Sequence, residues 1–298
     1  MHMLPLKALN DIEGQCIPDR IPKIIDSHVH IFPDNIFQSI WKWFDTYAWP
    51  IRYRLNTQDV FDFLLSKGIS HIIALHYAHK PGLSRYLNSY MIEQCALNPH
   101  VSGVATCFPG EPDIKDLLVD AFQSGLIGVK LHMHVQCVDL LSKSMDIIYD
   151  LCSQYHKPLI IHAGREPKSS AYACDPYTLC SAEKIKHILQ TYPECPICVP
   201  HMGADEYTAY QELIEIYNNL WLDTTMVFAD YLPLQKPSLL DFRMDRIIYG
   251  SDFPNIPYAW DREIQALNNM DLPVDNQNQI FYTNAESFFS LSTQIQVA

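Results

Sequence analysis

Two histidines stand at alternate positions in Lys23-Ile24-Ile25-Asp26-Ser27-His28-Val29-His30-Ile31-Phe32-Pro33. The apolar pair before Asp26 predicts a short buried strand. On a strand, residues i and i+2 face the same side, so the rings of His28 and His30 can meet one ion; Pro33 then ends the ladder. Alone, such a pair also fits two unrelated histidines near the start of a domain. The same chemistry returns downstream at the ends of other apolar runs. Gly128 to His134 carries Lys130, His132 and His134 at one parity. Leu159-Ile160-Ile161 runs into His162, Cys198-Val199-Pro200 into His201, and Ile247-Ile248-Tyr249-Gly250-Ser251 into Asp252. Unpaired polar groups are expensive inside a protein, so hydrophobic segments that each finish on an imidazole or a carboxylate are hard to explain as core. A shared cation removes the difficulty, and a metal site is the reading the set favours.

Those residues must be positioned by the elements that carry them. Thr57 is placed as the cap of a helix running to about Ser66, with Val60, Phe61, Leu64 and Leu65 on its apolar face. A strand over 69–75 follows, then helix 83–97, strand 100–108, helix 113–124 and strand 126–133. Helix 140–155, strand 158–162, helix 182–191, strand 197–201, helix 205–217 and strand 220–224 continue the alternation. A short helix at 237–242, a strand at 246–250 and helical segments 261–268 and 284–291 complete it. Near-continuous apolar strands alternating with helices indicate parallel strands covered on both faces. Eight such units in 298 residues predict an α/β fold, a (β/α)8 TIM barrel over residues 23–298 as a single catalytic domain, after an irregular N-terminal leader at 1–22. An open doubly wound sheet is the alternative, but no glycine-rich phosphate loop supports it. Barrel chemistry collects at the C-terminal ends of the strands, where these polar residues fall. An aromatic-rich insertion after strand 1 holds Trp41, Trp43, Phe44, Tyr47, Trp49 and Tyr53. Its helical spacing fits core, a pocket wall, or the contact of a homo-oligomer.

Composition narrows the function classes. Hydrophobic residues make up 48% and charged ones 18%, as in a well-filled core. With 21 Lys and Arg against 34 Asp and Glu, the net charge is −13. No basic run exists, so no nucleic acid partner is expected, because phosphate neutralisation needs clustered cations. No apolar run approaches a membrane span and residues 1–23 lack a secretory pattern, so no membrane association and a cytoplasmic location are expected. Nine irregularly spaced cysteines do not form a disulfide framework. Cys195-Pro196-Ile197-Cys198 has no partner CxxC and reads as buried thiols.

The ordered set Asp26-Ser27-His28-Val29-His30, Gly128 to His132, Ile161-His162-Ala163-Gly164-Arg165-Glu166-Pro167, Tyr249-Gly250-Ser251-Asp252-Phe253-Pro254 and Asn284-Ala285 resembles the amidohydrolase superfamily over about residues 24–290. The detail is similar to its amidohydrolase-related branch of metal-dependent hydrolases, hydratases and non-oxidative decarboxylases. The resemblance implies that His28, His30, His162 and Asp252 hold a divalent ion, zinc being the leading candidate for such a donor set. One ion is favoured over two. His201 takes the role of acid or base, or of a further ligand. Lys130 is either a carboxylated bridge between two ions or a free amine, and His132 beside it is a competing ligand or a substrate contact. TatD-like deoxyribonucleases also begin with HxH, but they carry a glutamate where this chain has Lys130 and His132.

The chemistry expected of such a site is attack of metal-activated water on a small-molecule substrate, carboxylated or cyclic, at a C–N or C–O bond. Asp252 would move the proton. Arg165 would clamp a substrate carboxylate, or else pair with Glu166 or Asp205. His76 and His79 fall just past strand 2, where a surface or capping role competes with a place at the mouth. A decarboxylase or hydratase would use the same ligands. A barrel that only binds is the reading from outside enzymology.

Overall fold

The computed structural model describes residues 4–291. Its strands are β1 (Ile25–His30), β2 (His71–Leu75), β3 (Val101–Gly103), β4 (Val129–His132), β5 (Leu159–His162), β6 (Ile197–Val199), β7 (Leu220–Asp223) and β8 (Ile247–Ile248). Every paired neighbour is parallel, in the order β1-β2-β3 and β4-β5-β6-β7-β8. Two seams join these groups. At one, Ala105 pairs with Val129, and the Lys130 N–H donates to the Ala105 carbonyl at 2.8 Å. At the other, the Ser27 N–H donates to Tyr249 O at 3.1 Å, the Asp252 N–H to His28 O at 2.9 Å and the His30 N–H to Phe253 O at 2.7 Å. The strands therefore close into a barrel, and the open-sheet alternative is ruled out.

Strand parity sorts side chains cleanly. Val129, Leu131, Leu159, Ile161, Leu220, Leu222 and Ile247 face outward into the main core under the helices. Ile160, Cys198, Trp221 and Ile248 form an inner layer capped by Phe288 and Phe289. On β4, β5 and β7 the next inward positions are Lys130 or His132, His162 and Asp223. β1 breaks this rule. Ile25 belongs to the inner layer while Val29 and Ile31 face outward, and the register against β2 shifts between Asp26 and Val29. That irregularity turns His28 and His30 inward, as bulges do when they re-aim a side chain.

The helices are α1 (Asp34–Tyr47), α2 (Thr57–Ser66), α3 (Ser84–Ala96), α4 (Ile114–Gln123), α5 (Met133–Gln136), α6 (Lys143–Gln154), α7 (Pro176–Leu179), α8 (Ala182–Thr191), α9 (Tyr207–Ile216), α10 (Arg262–Asn268), α11 (Val274–Asn278) and α12 (Asn284–Phe288). Helix α2 is capped by Asn56, whose side chain accepts the Asp59 N–H at 3.0 Å. Thr57, expected as the cap, instead donates its hydroxyl to Phe32 O and accepts from Tyr90. Val60, Phe61 and Leu64 on this helix are buried, each worth about 1.5–3 kcal/mol. The strands expected at 100–108 and 246–250 are shorter, Val101–Gly103 and Ile247–Ile248, although Val104, Ala105 and Tyr249 just beyond them still exchange single hydrogen bonds with β2, β4 and β1. α5, α7 and α11 were not foreseen: α5 and α7 are single turns with too few residues for a periodic pattern. Residues 4–22 hold no helix or strand, yet they are tied down: Leu6 N–H donates to Ala48 O, Leu9 N–H to Pro257 O, and Asp11 pairs with Arg52 and Arg262. Among the described residues, no helix is long and apolar enough to cross a membrane.

The seam beside β8 has no spare room. A Cβ on Gly250 would stand 2.6 Å from both His28 Cβ and Thr225 Oγ1. Gly250→Ala is expected to cost about 1–3 kcal/mol by overpacking in urea unfolding. Asn56→Ala should cost about 1 kcal/mol by losing the cap. An unchanged midpoint for Gly250→Ala would show that the seam yields.

Candidate active site

Each side chain of the site is aimed by backbone that the rest of the fold holds. Asp26, fully buried in β1, accepts the N–H of Ser251 at 3.1 Å and its hydroxyl at 2.6 Å, and the N–H of His28 at 3.2 Å. It braces the strand carrying the histidines against the turn carrying Asp252. Burial raises the Asp26 carboxyl to about 6 against these donors. Asp252 itself adopts a left-handed backbone, φ 64°, which swings its carboxylate toward β1. His201 was expected on a strand, but β6 ends at Val199. His201, Met202, Gly203 and Ala204 follow with φ of 57°, 49°, 82° and 55°. Such a left-handed run is costly for residues other than glycine and persists where surrounding contacts over-determine it. A Cβ at Gly203 would run into the Tyr210 ring.

The histidine tautomers follow from their partners. His28 Nδ1 lies 2.7 Å from Asp223 Oδ2, so the proton sits there and Nε2 is left as an acceptor. That Nε2 faces Asp252 Oδ1 at 3.5 Å and Lys130 Nζ at 3.4 Å. His30 Nε2 lies 3.0 Å from the same Asp252 oxygen. His201 donates Nδ1–H to Thr225 O at 2.9 Å, and its Nε2 accepts from His162 Nδ1 at 3.2 Å. His162 Nε2 is thereby left bare, buried and without a partner.

Electrostatics keep these groups as acceptors. Burial would raise the Asp252 carboxyl, but the hydrogen bond from His30 and the charges of His30, His28 and His201 outweigh it and bring it down to about 2. Burial, and then the Lys130 ammonium, pushes His28 down to about 4 against the pull of Asp223. Burial also drives His132 and His162 well below the ordinary histidine range. Lys130, fully buried, is lowered by burial to about 8 despite the pull of Asp223 and Asp252.

Imidazole lone pairs gathered round a carboxylate, with His28 Nε2 met by Lys130 Nζ at 3.4 Å and His162 Nε2 buried without a partner, are an arrangement that a cation completes. The donor atoms of His28, His30 and Asp252 all lie within 4.8 Å of one another, and those of His132, His134 and His162 form a second such group. The structure thus brings three of the four expected ligands together and draws His162 toward the strand-4 histidines. His132 and His162 are register partners on β4 and β5, with rings stacked at 4.1 Å. All of these residues except His134 border one small inner chamber of about 50 Å³, together with Lys130, His201, Tyr77 and Trp43.

Arg165 does not join them. Its guanidinium bonds to Asp205 at 2.8 and 3.2 Å, lies 3.3 Å from Glu206 and covers the Tyr177 ring. Of its two expected uses, the structure shows the pairing with Asp205, within an ion-pair network at the rim. His76 is fully buried beside Asn88 and not at the mouth, whereas His79 is exposed there. Cys195 and Cys198 are buried and free. Of the aromatic insertion, Trp43 and Phe44 line the chamber while Phe37 is core. Sequence reasoning missed Asp223, although it ends an apolar strand as His162 does, and Tyr77, whose ring stands between His30 at 5.7 Å and His132 at 5.0 Å. No pattern marked Tyr77.

A parallel barrel with imidazoles and a carboxylate at its C-terminal mouth defines the class, and comparison with known proteins supplies the family. Residues 25–291 match the amidohydrolase family, and the chain belongs to it. Among solved structures, one described as an amidohydrolase II superposes with a TM-score of 0.68 at 20% identity, over 90% of this chain and 100% of that one. A 5-carboxyvanillate decarboxylase from Sphingomonas paucimobilis gives 0.64 at 15% identity, over 90% and 99%. Its counterpart from Novosphingobium aromaticivorans, complexed with manganese, gives 0.65 at 15% identity, over 94% and 100%. Among curated proteins, none matches this sequence.

Asp223 holds the His28 tautomer with one oxygen and the His201 N–H with the other, at 2.9 Å. In Asp223→Asn, one of those contacts faces an amide donor and the charge is lost. Affinity for a divalent ion, measured by chelator competition, is expected to fall about 10–100-fold. Unchanged affinity would remove Asp223 from the support of this site.

Proposed function

We propose that this protein is a metal-dependent hydrolase, in which His28, His30 and Asp252, with His162 across the chamber, hold one divalent ion. The substrate is a small carboxylated or cyclic molecule cleaved at a C–N or C–O bond. Zinc suits the imidazole-rich donor set, although a similar structure was solved with manganese. When bound, the ion supplies Lewis acidity and lowers the pKa of water.

What supports hydrolysis is the acceptor geometry of the chamber, where Asp252 Oδ1 stands 3.0 Å from His30 Nε2 and 3.5 Å from His28 Nε2. Asp252 is ionised, and Nε2 of His201 carries no proton of its own because Nδ1–H is committed to Thr225 O. Both are proton acceptors, as activation of water requires. Asp252 takes the proton of the attacking water and returns it to the leaving nitrogen or oxygen. His201 positions His162 and stands ready as a second base. His132, half-buried at the chamber wall, contacts the substrate. Tyr77 and Trp43 narrow the entrance and limit stray water. Lys130, uncarboxylated and in its ammonium form beside His28, keeps that imidazole neutral.

Decarboxylation is the second reading. Lys130 is a proton donor on the chamber wall, able to serve a carbon centre, and the similar structures include 5-carboxyvanillate decarboxylases. Screening lactones, amides, and unsaturated and aromatic acids in ¹⁸O-water, with divalent ion restored, separates the two. Hydrolysis incorporates the label without carbon dioxide; carbon dioxide release without label would replace hydrolysis by decarboxylation. His28→Ala is expected to lower bound metal and turnover together, by at least about a hundredfold in affinity. Full metal content with normal turnover would sink the proposed centre.

A further inference from the structure

Outside the inner chamber lies a far larger cavity of about 580 Å³, within the size range of sites that take whole small-molecule ligands. Trp43, Phe44, Tyr77, His132 and Tyr172 border both spaces. The partition is built from aromatic pairs: Trp43 against Tyr172 at 5.4 Å and Tyr77 against His132 at 5.0 Å. The outer walls add Phe32, Ile36 and Ile40 from the α1 side and Leu83 and Tyr86 from the start of α3. Flat apolar rings are the natural occupants of such walls.

Charge says more than shape. The chain carries 34 acidic against 21 basic residues, yet none of the residues lining this cavity is acidic. Its charged or titratable nitrogen groups are Lys80 and His79, exposed at the mouth, and His132 and His134 at the inner end. Like most of the described lysines, Lys80 has no salt-bridge partner, and it is the lysine that lines this cavity. A cavity free of carboxylates in so acidic a protein, with an uncommitted ammonium at its mouth, is complementary to an anion.

We propose that the outer cavity is a binding site for an aromatic-bodied anion, whose ring system lies between the α1 face and Tyr172 and whose carboxylate meets Lys80. This deepens the hydrolase reading and rests on it only for the statement that the ligand is the substrate. The reactive end then enters the inner chamber past Tyr77 and His132, and the anionic end stays remote from the reacting bond. Trp43 and Lys80 become specificity-determining residues: one grips the ring, the other selects charge.

The test uses the full chain and two probes of nearly equal shape, 2-naphthoate and the neutral 2-naphthamide, titrated by calorimetry. Naphthoate should bind the tighter. Lys80→Glu should weaken naphthoate by about fivefold or more, leave naphthamide unchanged and make naphthoate binding less sensitive to salt. Trp43→Ala should weaken both. Each titration is repeated after chelator treatment. Preference for naphthoate that survives chelation and disappears in Lys80→Glu supports the site. Equal binding of the two probes, no binding of either, or a preference abolished by chelation but untouched by Lys80→Glu overturns it. None of these outcomes depends on turnover, and the supporting one is read with the metal removed, so the two readings fail separately.

Discussion

A single buried carboxylate sets the geometry on which the rest of the site depends. Asp223 is almost completely excluded from water. Burial opposes its charge, but His28, His201 and their hydrogen bonds hold it ionised, well below the ordinary carboxylate range. One oxygen fixes the His28 proton on Nδ1, and the other anchors the backbone of His201. The consequence is directional. His28 must present a lone pair to Asp252, and the left-handed stretch after β6 must begin where it does. Removing one partner of such a pair strands the other in a low-dielectric interior, which couples the strand-1 and strand-6 histidines through strand 7.

Around that pair the barrel places strained or irregular backbone where chemistry is needed. The register shift in β1, the left-handed Asp252 and the left-handed run from His201 to Ala204 all fall at the C-terminal mouth of the barrel. Regular strands below supply the rigidity that holds them: the outward residues of β4, β5 and β7 are buried in one continuous core. Asp26 adds a brace from the opposite side, tying Ser251 to β1 across the closing seam. The site is therefore assembled across both closures of the barrel and does not exist in any one segment.

The rim divides its charges between two tasks. Arg165, Asp205, Glu206 and Tyr177 satisfy one another and stiffen the loops after β5 and β6. Lys80, on the other side, has no such commitment. Aromatic residues of α1 link these regions to the inner chamber: Trp43 packs on Tyr172 from the loop after β5, so the insertion after strand 1 forms part of the wall of the mouth instead of a separate appendage.

Much of this was legible in the residues alone. Short apolar runs rich in branched side chains favour buried strands, and their alternation with amphipathic segments indicates parallel strands with helical crossovers, so the barrel was the favoured reading over an open sheet and the strand ends carrying His28, His30, Lys130, His132, His162 and Asp252 were legible. What could not be read was direction and partnership. Parity along β1 predicts one facing for Ile25 and the opposite for His28, and only the register shift against β2 reconciles both as inward. For Arg165 the sequence offered a substrate carboxylate, Glu166 or Asp205 alike, and only the approach of the loop after β6 selects Asp205, with Glu206 beside it. His162 stacks on His132 because β4 and β5 pair in that register, and Asp223 finds His28 across 195 residues of chain. Residue type and spacing decide which chemistry is present, because they act over a few ångströms of local backbone. Which groups share a proton or a cation depends on contacts between distant strands, and the closed barrel alone creates those.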